Sequence, residues 1–241
     1  MKLVAVLHQG LTRFHSPLVS AVINYKLPLI IHPAEPKAGL EAALLGLGPL
    51  SLSGAIVEDA VLQASAAQIV KTLEAEAQSA GRADLVIPER AGLRGYFLEP
   101  LALGNLLMRY AYGDKALWIG PGRPELASGL RGVSKVSVFA KTYPEGDNFL
   151  GRIPGPQRGH VVIGDSQAEA VARQVDTVIF AGGSLPLSLL QPYHTLVGLE
   201  PPSKDVFPLI GQYLGPDELL RFHLSALLDV LGHALPPEAF A

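Results

Sequence analysis

The segment that most restricts what this chain can fold into is Ala116-Leu117-Trp118-Ile119-Gly120-Pro121-Gly122-Arg123-Pro124-Glu125. Its apolar run reads as a buried strand, its glycines as a turn, and Pro124 as the first turn of a helix. A second strand follows at 135–140. Strand, glycine turn, helix and strand in that order open a βαβ unit of the dinucleotide-binding kind, where glycines let the backbone approach a pyrophosphate at a helix N-terminus. One position departs from the pattern. Glu125 stands where a third glycine belongs and directs a carboxylate at the phosphate seat, although a carboxylate there also suits the helix dipole by itself.

The rest of the chain alternates in the same way. A strand is expected at 2–8, and Ser16-Pro17 opens a helix to about 25, with Ser16 as N-cap. Further expectations are a strand at 27–32, a helix over 38–47, a strand at 51–57 and one helix over 60–80 that stops at Gly81. A hairpin at 84–87 and 93–97 and a helix near 101–112 close this half. Beyond it, strands are expected at 116–120, 135–140, 160–164, 176–181 and 195–199. Gly151, Pro154, Gly155 and Pro156 make 143–157 a loop, so no helix is expected between the second and third of these strands. Helices are expected again at 166–174 and 217–231, with a further turn at 186–190. The fold class is α/β in two domains, 1–112 with 217–241 and 113–216.

Composition removes several functions. Of 241 residues 49% are apolar and 17% charged, which suits a packed globular chain, and a net charge of −3 with scattered basic residues offers no nucleic-acid groove. There is no cysteine, hence no disulfide, thiolate metal site or cysteine nucleophile. The histidines show no metal-ligand spacing, and glycines and a proline interrupt the longest uncharged run, 42–57, before it could span a bilayer. We expect a cytoplasmic protein, monomer or homodimer, with neither nucleic acid nor membrane as partner.

Several segments, in order, resemble the shikimate dehydrogenase family. His15-Ser16-Pro17 matches its Ser-x-Ser-Pro helix opening, and Glu76-Ala77-Gln78-Ser79-Ala80-Gly81 its Glu-Ala-x-x-x-Gly stretch. Gly95-Tyr96-Phe97-Leu98-Glu99 falls on Gly-[Phe/Tyr]-Asn-Thr-Asp, and Ala140-Lys141-Thr142 on Asn-Arg-Thr, with Leu185-Pro186-Leu187 completing the series. The resemblance implies a substrate-binding first domain, a reduced Rossmann-like NADP domain, a C-terminal helix packing back on the first, and a small cyclic hydroxy acid held in an interdomain cleft. It places Glu99 at the catalytic carboxylate, Ser16, Asp84 and His223 at substrate, and Gly120, Gly122, Lys141 and Thr142 at NADP.

The departures are chemical. The family's catalytic lysine follows an Asn-Val-Thr-Ile-Pro strand, yet 54–63 here contains no lysine, and Lys71 is expected on a helix surface instead. Phe14 replaces a substrate-binding serine, Asp84 an asparagine and His223 a glutamine. Losing one acid–base group costs factors of about 10² to 10⁴ in rate. Two readings follow: an NADP-linked oxidoreductase of weak or altered activity, or a pseudoenzyme binding a small metabolite or a partner protein. A methyltransferase built on the same glycine turn is disfavoured by Lys141, where a ribose-binding acid belongs.

Overall fold

In the computed structural model, which describes residues 2–37 and 39–241, strands and helices alternate from the start. The first half runs β1 (Lys2–Leu7), α1 (His15–Asn24), β2 (Leu29–Ala34), α2 (Leu40–Leu45), β3 (Gly54–Val57) and α3 (Ala60–Ile69). It continues with β4 (Thr72–Leu73), α4 (Ala75–Ala80), β5 (Leu85–Glu89), β6 (Gly92–Tyr96) and α5 (Glu99–Tyr110). Then come β7 (Lys115–Ile119), a 3-10 stretch at Pro124–Gly132, β8 (Lys135–Phe139), α6 (Tyr143–Leu150) and β9 (Arg158–Val162). The series ends with α7 (Asp165–Ala172), β10 (Thr177–Phe180), β11 (Thr195–Gly198), β12 (Gln212–Leu214) and α8 (Pro216–Val230). The helix expected over 38–47 is α2; its expected first residue, Ala38, lies outside the described residues. No helix of the described residues is long and apolar enough to cross a membrane.

The chain divides into two units, Met1–Glu99 with Arg221–Ala241, and Pro100–Leu220. In the first, six strands lie in the order β2-β1-β3-β5-β6-β4, parallel from β2 to β3 and antiparallel through the β5–β6 hairpin. In the second, every strand pair is parallel and the order is β9-β8-β7-β10-β11-β12. Renumbered within that unit this is 3-2-1-4-5-6, the doubly wound Rossmann order, with its reversal between β7 and β10. β10 is buried at every position, as a strand with helices on both faces must be. Leu117, Ile119, Val178 and Leu196 form its core with Ala168 and Ala172 of α7.

Four local expectations are corrected. The single helix over 60–80 is broken: Val70 is extended, Thr72–Leu73 pair with Arg94–Gly95, and Lys71 sits exposed in the connection rather than on a helix. β-Branched Val70 and Thr72 favour this short strand, and Gly95 makes room for Leu73, whose Cδ2 lies 2.7 Å from where a Cβ would stand. The expected loop at 143–157 contains α6: Pro144 falls in its first turn, where no N–H is needed, Gly146 packs within it, and the helix stops at Gly151, before Pro154, Gly155 and Pro156. The helix after the glycine turn is 3-10 rather than α. Side chains three apart eclipse in that coil, and its Leu126, Gly129, Gly132 row crowds little because Gly129 and Gly132 lack side chains. Finally, Ser16 does not cap α1: the N-cap position is Phe14, and the Thr12 hydroxyl accepts the His15 N–H at 3.2 Å. β12, a three-residue edge strand, has no counterpart among the expected strands.

His194 shows how tightly the second unit is finished. It has no exposed surface; the Gln191 N–H donates to its Nδ1 at 3.1 Å, so its Nε2–H donates to the Ala172 carbonyl at 2.9 Å. Burial lowers its pKa below the ordinary 6.5 by taking the charged form out of water, and this outweighs the opposing pull of the Ala172 and Val175 carbonyls and of Asp176. The unfolded chain therefore binds this proton more readily, and the stability tied to His194 is present above about pH 6.5 and lost as the pH falls below it. Denaturant midpoints followed by Trp118 fluorescence are expected to drop between about pH 7 and pH 5, and to drop less in His194→Gln. Equal slopes for the two proteins would count against this account.

Candidate functional site

The strand ends of the second unit enclose a cavity of about 640 Å³, within the range of ligand pockets. It is lined from the C-terminal ends of four parallel strands: Gly120 and Pro121 after β7, Lys141 after β8, Gly164 and Asp165 after β9, and Gly182 and Gly183 after β10. In open parallel sheets this end, at the strand reversal, is where ligands bind. Glycine is required here by contact as well as by conformation. Gly120 has φ +105°, and a Cβ on it would stand 2.4 Å from the Gly182 carbonyl oxygen. The Trp118 indole N–H donates to the Pro121 carbonyl at 3.1 Å and holds the turn from below, with its ring 4.6 Å from that of Phe149.

Three charged side chains line this cavity, Lys141, Glu145 on α6 and Asp165 at the start of α7. All three are exposed. Glu125 is not among the lining residues: it pairs with Arg123 at 3.1 Å, so the carboxylate that the sequence directs at phosphate is answered within its own turn. Gly122 and Thr142 are also outside the lining. Gly122 makes room for Phe149, whose Cβ lies 2.9 Å from where its own would be, and Thr142 is the N-cap residue of α6. Of the four cofactor-side candidates, Gly120 and Lys141 are therefore together at the cavity. Glu145, Asp165, Gly182 and Gly183 were missed by sequence reasoning. The Gly182-Gly183 pair after an apolar strand repeats the signal at Gly120-Pro121-Gly122 and could have revealed them.

The substrate-side candidates lie in the first unit. Asp84 has no exposed surface, and its Oδ2 accepts three hydrogen bonds: from the Leu98 N–H at 2.7 Å, the Glu99 N–H at 3.1 Å and His223 Nε2–H at 2.8 Å. Its Oδ1 is buried with no partner among the described residues. Burial pushes the His223 pKa down, but the Asp84 hydrogen bond and charge, together with the Glu99 charge, outweigh it, and the net shift is upward. Phe14 packs edge-on against the imidazole with centroids 5.4 Å apart. Asp84, His223 and Glu99 are thus one cluster, whereas Ser16 is exposed on the first turn of α1.

The end of β3 leads into two carboxylates bound to a loop. Glu58 accepts the Thr12 hydroxyl at 2.5 Å and the Arg13 N–H at 2.6 Å, and Asp59 accepts the Gln9 N–H at 2.6 Å. Sequence reasoning missed these as structural acids; nothing local distinguishes them from solvated ones.

A buried ion pair that loses one partner leaves an unanswered charge, at a cost of about 3–5 kcal/mol. His223→Leu is expected to lower stability on that scale. Because the folded pKa of His223 is raised, its contribution is complete below about pH 6.5 and lost as the pH rises through the folded value. Urea unfolding at about pH 6 and pH 9 should show a high-pH decline in the wild type that is smaller in His223→Leu; an unchanged decline would refute the assignment.

No protein-family model matches the chain, and no curated protein is detectably similar in sequence. Solved structures are similar over nearly the whole length. Shikimate 5-dehydrogenase from Listeria monocytogenes, in complex with shikimate and NAD, matches with a TM-score of 0.77 at 13% identity, covering 99% of this chain and 94% of that one. Shikimate 5-dehydrogenase from Thermus thermophilus, in complex with NADP(H) and shikimate, gives 0.72 at 17%, covering 100% and 97%. The ligand-free 5-ketofructose reductase of a Gluconobacter species gives 0.80 at 12%, covering 99% and 96%. The chain has the two-domain α/β fold of the shikimate dehydrogenases, with a Rossmann-like second unit.

Proposed function

We propose that the chain is a divergent NADP-linked oxidoreductase of the shikimate dehydrogenase type, acting on a small hydroxy compound with altered or reduced activity. The observation that carries this reading is the cavity at the C-terminal ends of β7 to β10, with Gly120 and Gly182 at the strand reversal and Lys141 beside them. These residues fit a dinucleotide. Glycine backbones leave no Cβ against a pyrophosphate, and a cation following the second strand suits a 2′-phosphate. The cofactor would supply the hydride; the chain's own groups orient substrate and move its proton. Glu99 is the candidate beside the reacting hydroxyl, with His223, Asp84 and Ser16 as candidates for holding polar groups of the ligand.

A second reading has its own support: a pseudoenzyme that keeps nucleotide or metabolite binding without turnover. Glu58 and Asp59 occupy the lysine's strand end and are committed to backbone N–H groups, and Phe14 packs on His223 where the resemblance implies a serine. Groups already hydrogen-bonded within the protein have little left to offer a ligand.

The lone tryptophan, Trp118, bonds to a residue of the cavity wall and reports on it. Titration with NADP⁺ is expected to change its fluorescence, and assays with shikimate plus NADP⁺, and with 5-ketofructose plus NADPH, then separate the readings. Saturable binding with turnover supports the oxidoreductase, and binding without turnover the pseudoenzyme. No binding at millimolar dinucleotide ends the NADP-linked reading.

A further inference from the structure

We infer that Glu200 sets which oxidation state of the dinucleotide the site prefers: its carboxylate, held against Gly182, favours the cationic oxidised nicotinamide over the neutral reduced one. The inference rests on the proposed dinucleotide site and concerns the half of it remote from Lys141.

Position is the first support. A doubly wound sheet consists of two mononucleotide-binding halves that meet at the strand reversal, here β7 to β9 and β10 to β12. Lys141 follows β8 and so belongs to the half that takes the adenosine ribose. The nicotinamide half therefore lies over the ends of β10 and β11. Phe180 pairs with Gly198 in these strands, and the Leu199 N–H donates to the Phe180 carbonyl at 2.8 Å, which brings Glu200 beside Gly182. The Glu200 Oε2 and Oε1 lie 2.5 Å and 2.8 Å from where a Cβ on Gly182 would stand. Gly182 lines the cavity, and its carbonyl oxygen faces Gly120 across the reversal.

The second support is that this charge is unanswered. Glu200 is exposed and forms no ion pair among the described residues, not even with Lys204, the nearest cation along the chain. Gly182, Gly183 and Ser184 beside it carry no charge of their own. An unpaired carboxylate attracts a nearby cation by Coulomb's law and acts little on a neutral group. Oxidised and reduced dinucleotide share their phosphates and riboses and differ by the positive charge on the nicotinamide ring. A carboxylate in that half therefore separates the two forms, whereas one in the adenosine half, such as Asp165 after β9, acts on both alike.

The test is binding, read from Trp118 fluorescence and by calorimetry, with NADP⁺ and NADPH as probes on the wild type, Glu200→Gln and Asp165→Asn. Both substitutions are at exposed positions without an ion pair among the described residues, so folding is not at stake. Removing one exposed charge changes affinity by a factor of up to about 5. Glu200→Gln should weaken NADP⁺ about threefold and leave NADPH unchanged, so the ratio of the two dissociation constants moves by that factor. Asp165→Asn should move both constants together and leave the ratio as it is. The Glu200→Gln shift should shrink in about 0.5 M salt, which a purely steric effect would not do. A ratio that Glu200→Gln leaves unchanged, an equal change of ratio in Asp165→Asn, or a shift that salt does not alter overturns this inference and spares the dinucleotide site. No binding of either probe to any of the three proteins overturns both.

Discussion

A carboxylate with no access to water must be answered by donors inside the protein, and in the first unit Asp84 sets that requirement. One of its oxygens collects two backbone N–H groups at the start of α5 and the imidazole of His223 on α8. The backbone donors are local, fifteen residues away or fewer, but the imidazole comes from 139 residues further along the chain. Burying an ion pair is seldom a net source of stability, because desolvation offsets most of the attraction. What it supplies is uniqueness: α8 docked in another register would leave Asp84 without its imidazole donor and with only the two backbone N–H groups. The edge of Phe14 against the imidazole fixes the other side of that contact.

The two units are built differently around their strand ends. In the second, the parallel strand order and the backbone-only approach of Gly120 to Gly182 leave a glycine-lined cavity at the C-terminal strand ends. In the first, buried and loop-facing acids hold the chain together. Glu58 and Asp59 tether the loop after β1, and Asp84 fixes the start of α5. Hydrogen bonds of this kind make a site rigid and at the same time use up its capacity for ligand.

Much of this was legible in the residues. Continuous apolar runs mark the parallel strands because both faces are covered, and the β5–β6 hairpin followed from alternation between turn residues. Asp84 and His223 were singled out only through resemblance, as substrate-side positions; no local pattern says that they meet. The features that escaped depend on neighbours distant in sequence. Thr72–Leu73 become a strand because β6 offers an edge and Gly95 a space, so helical composition over 60–80 misleads. α6 was hidden by the glycines and prolines within and just beyond it, since Pro144 is tolerated in its first turn. Glu125 read as an anion at the phosphate seat because its partner, Arg123, lies too close in sequence to suggest a salt bridge across a turn. Ser16 fits a capping pattern, but Thr12 reaches the free N–H first.

The discontinuity of the first unit has a consequence for the chain as it is made. Its sheet is complete by Glu99, yet Arg221–Ala241, with His223 and the buried Leu224, Leu227 and Leu228, belong to the same unit. At ribosomal speeds of about 5–20 residues per second, those last residues emerge on the order of ten seconds after the sheet they cover. The uninterrupted second unit is entirely synthesised before them. Of the two units, the one whose sheet is translated earlier is therefore the later to close, and through that interval the seat of α8 and the Asp84 carboxylate stay open to water or to a chaperone.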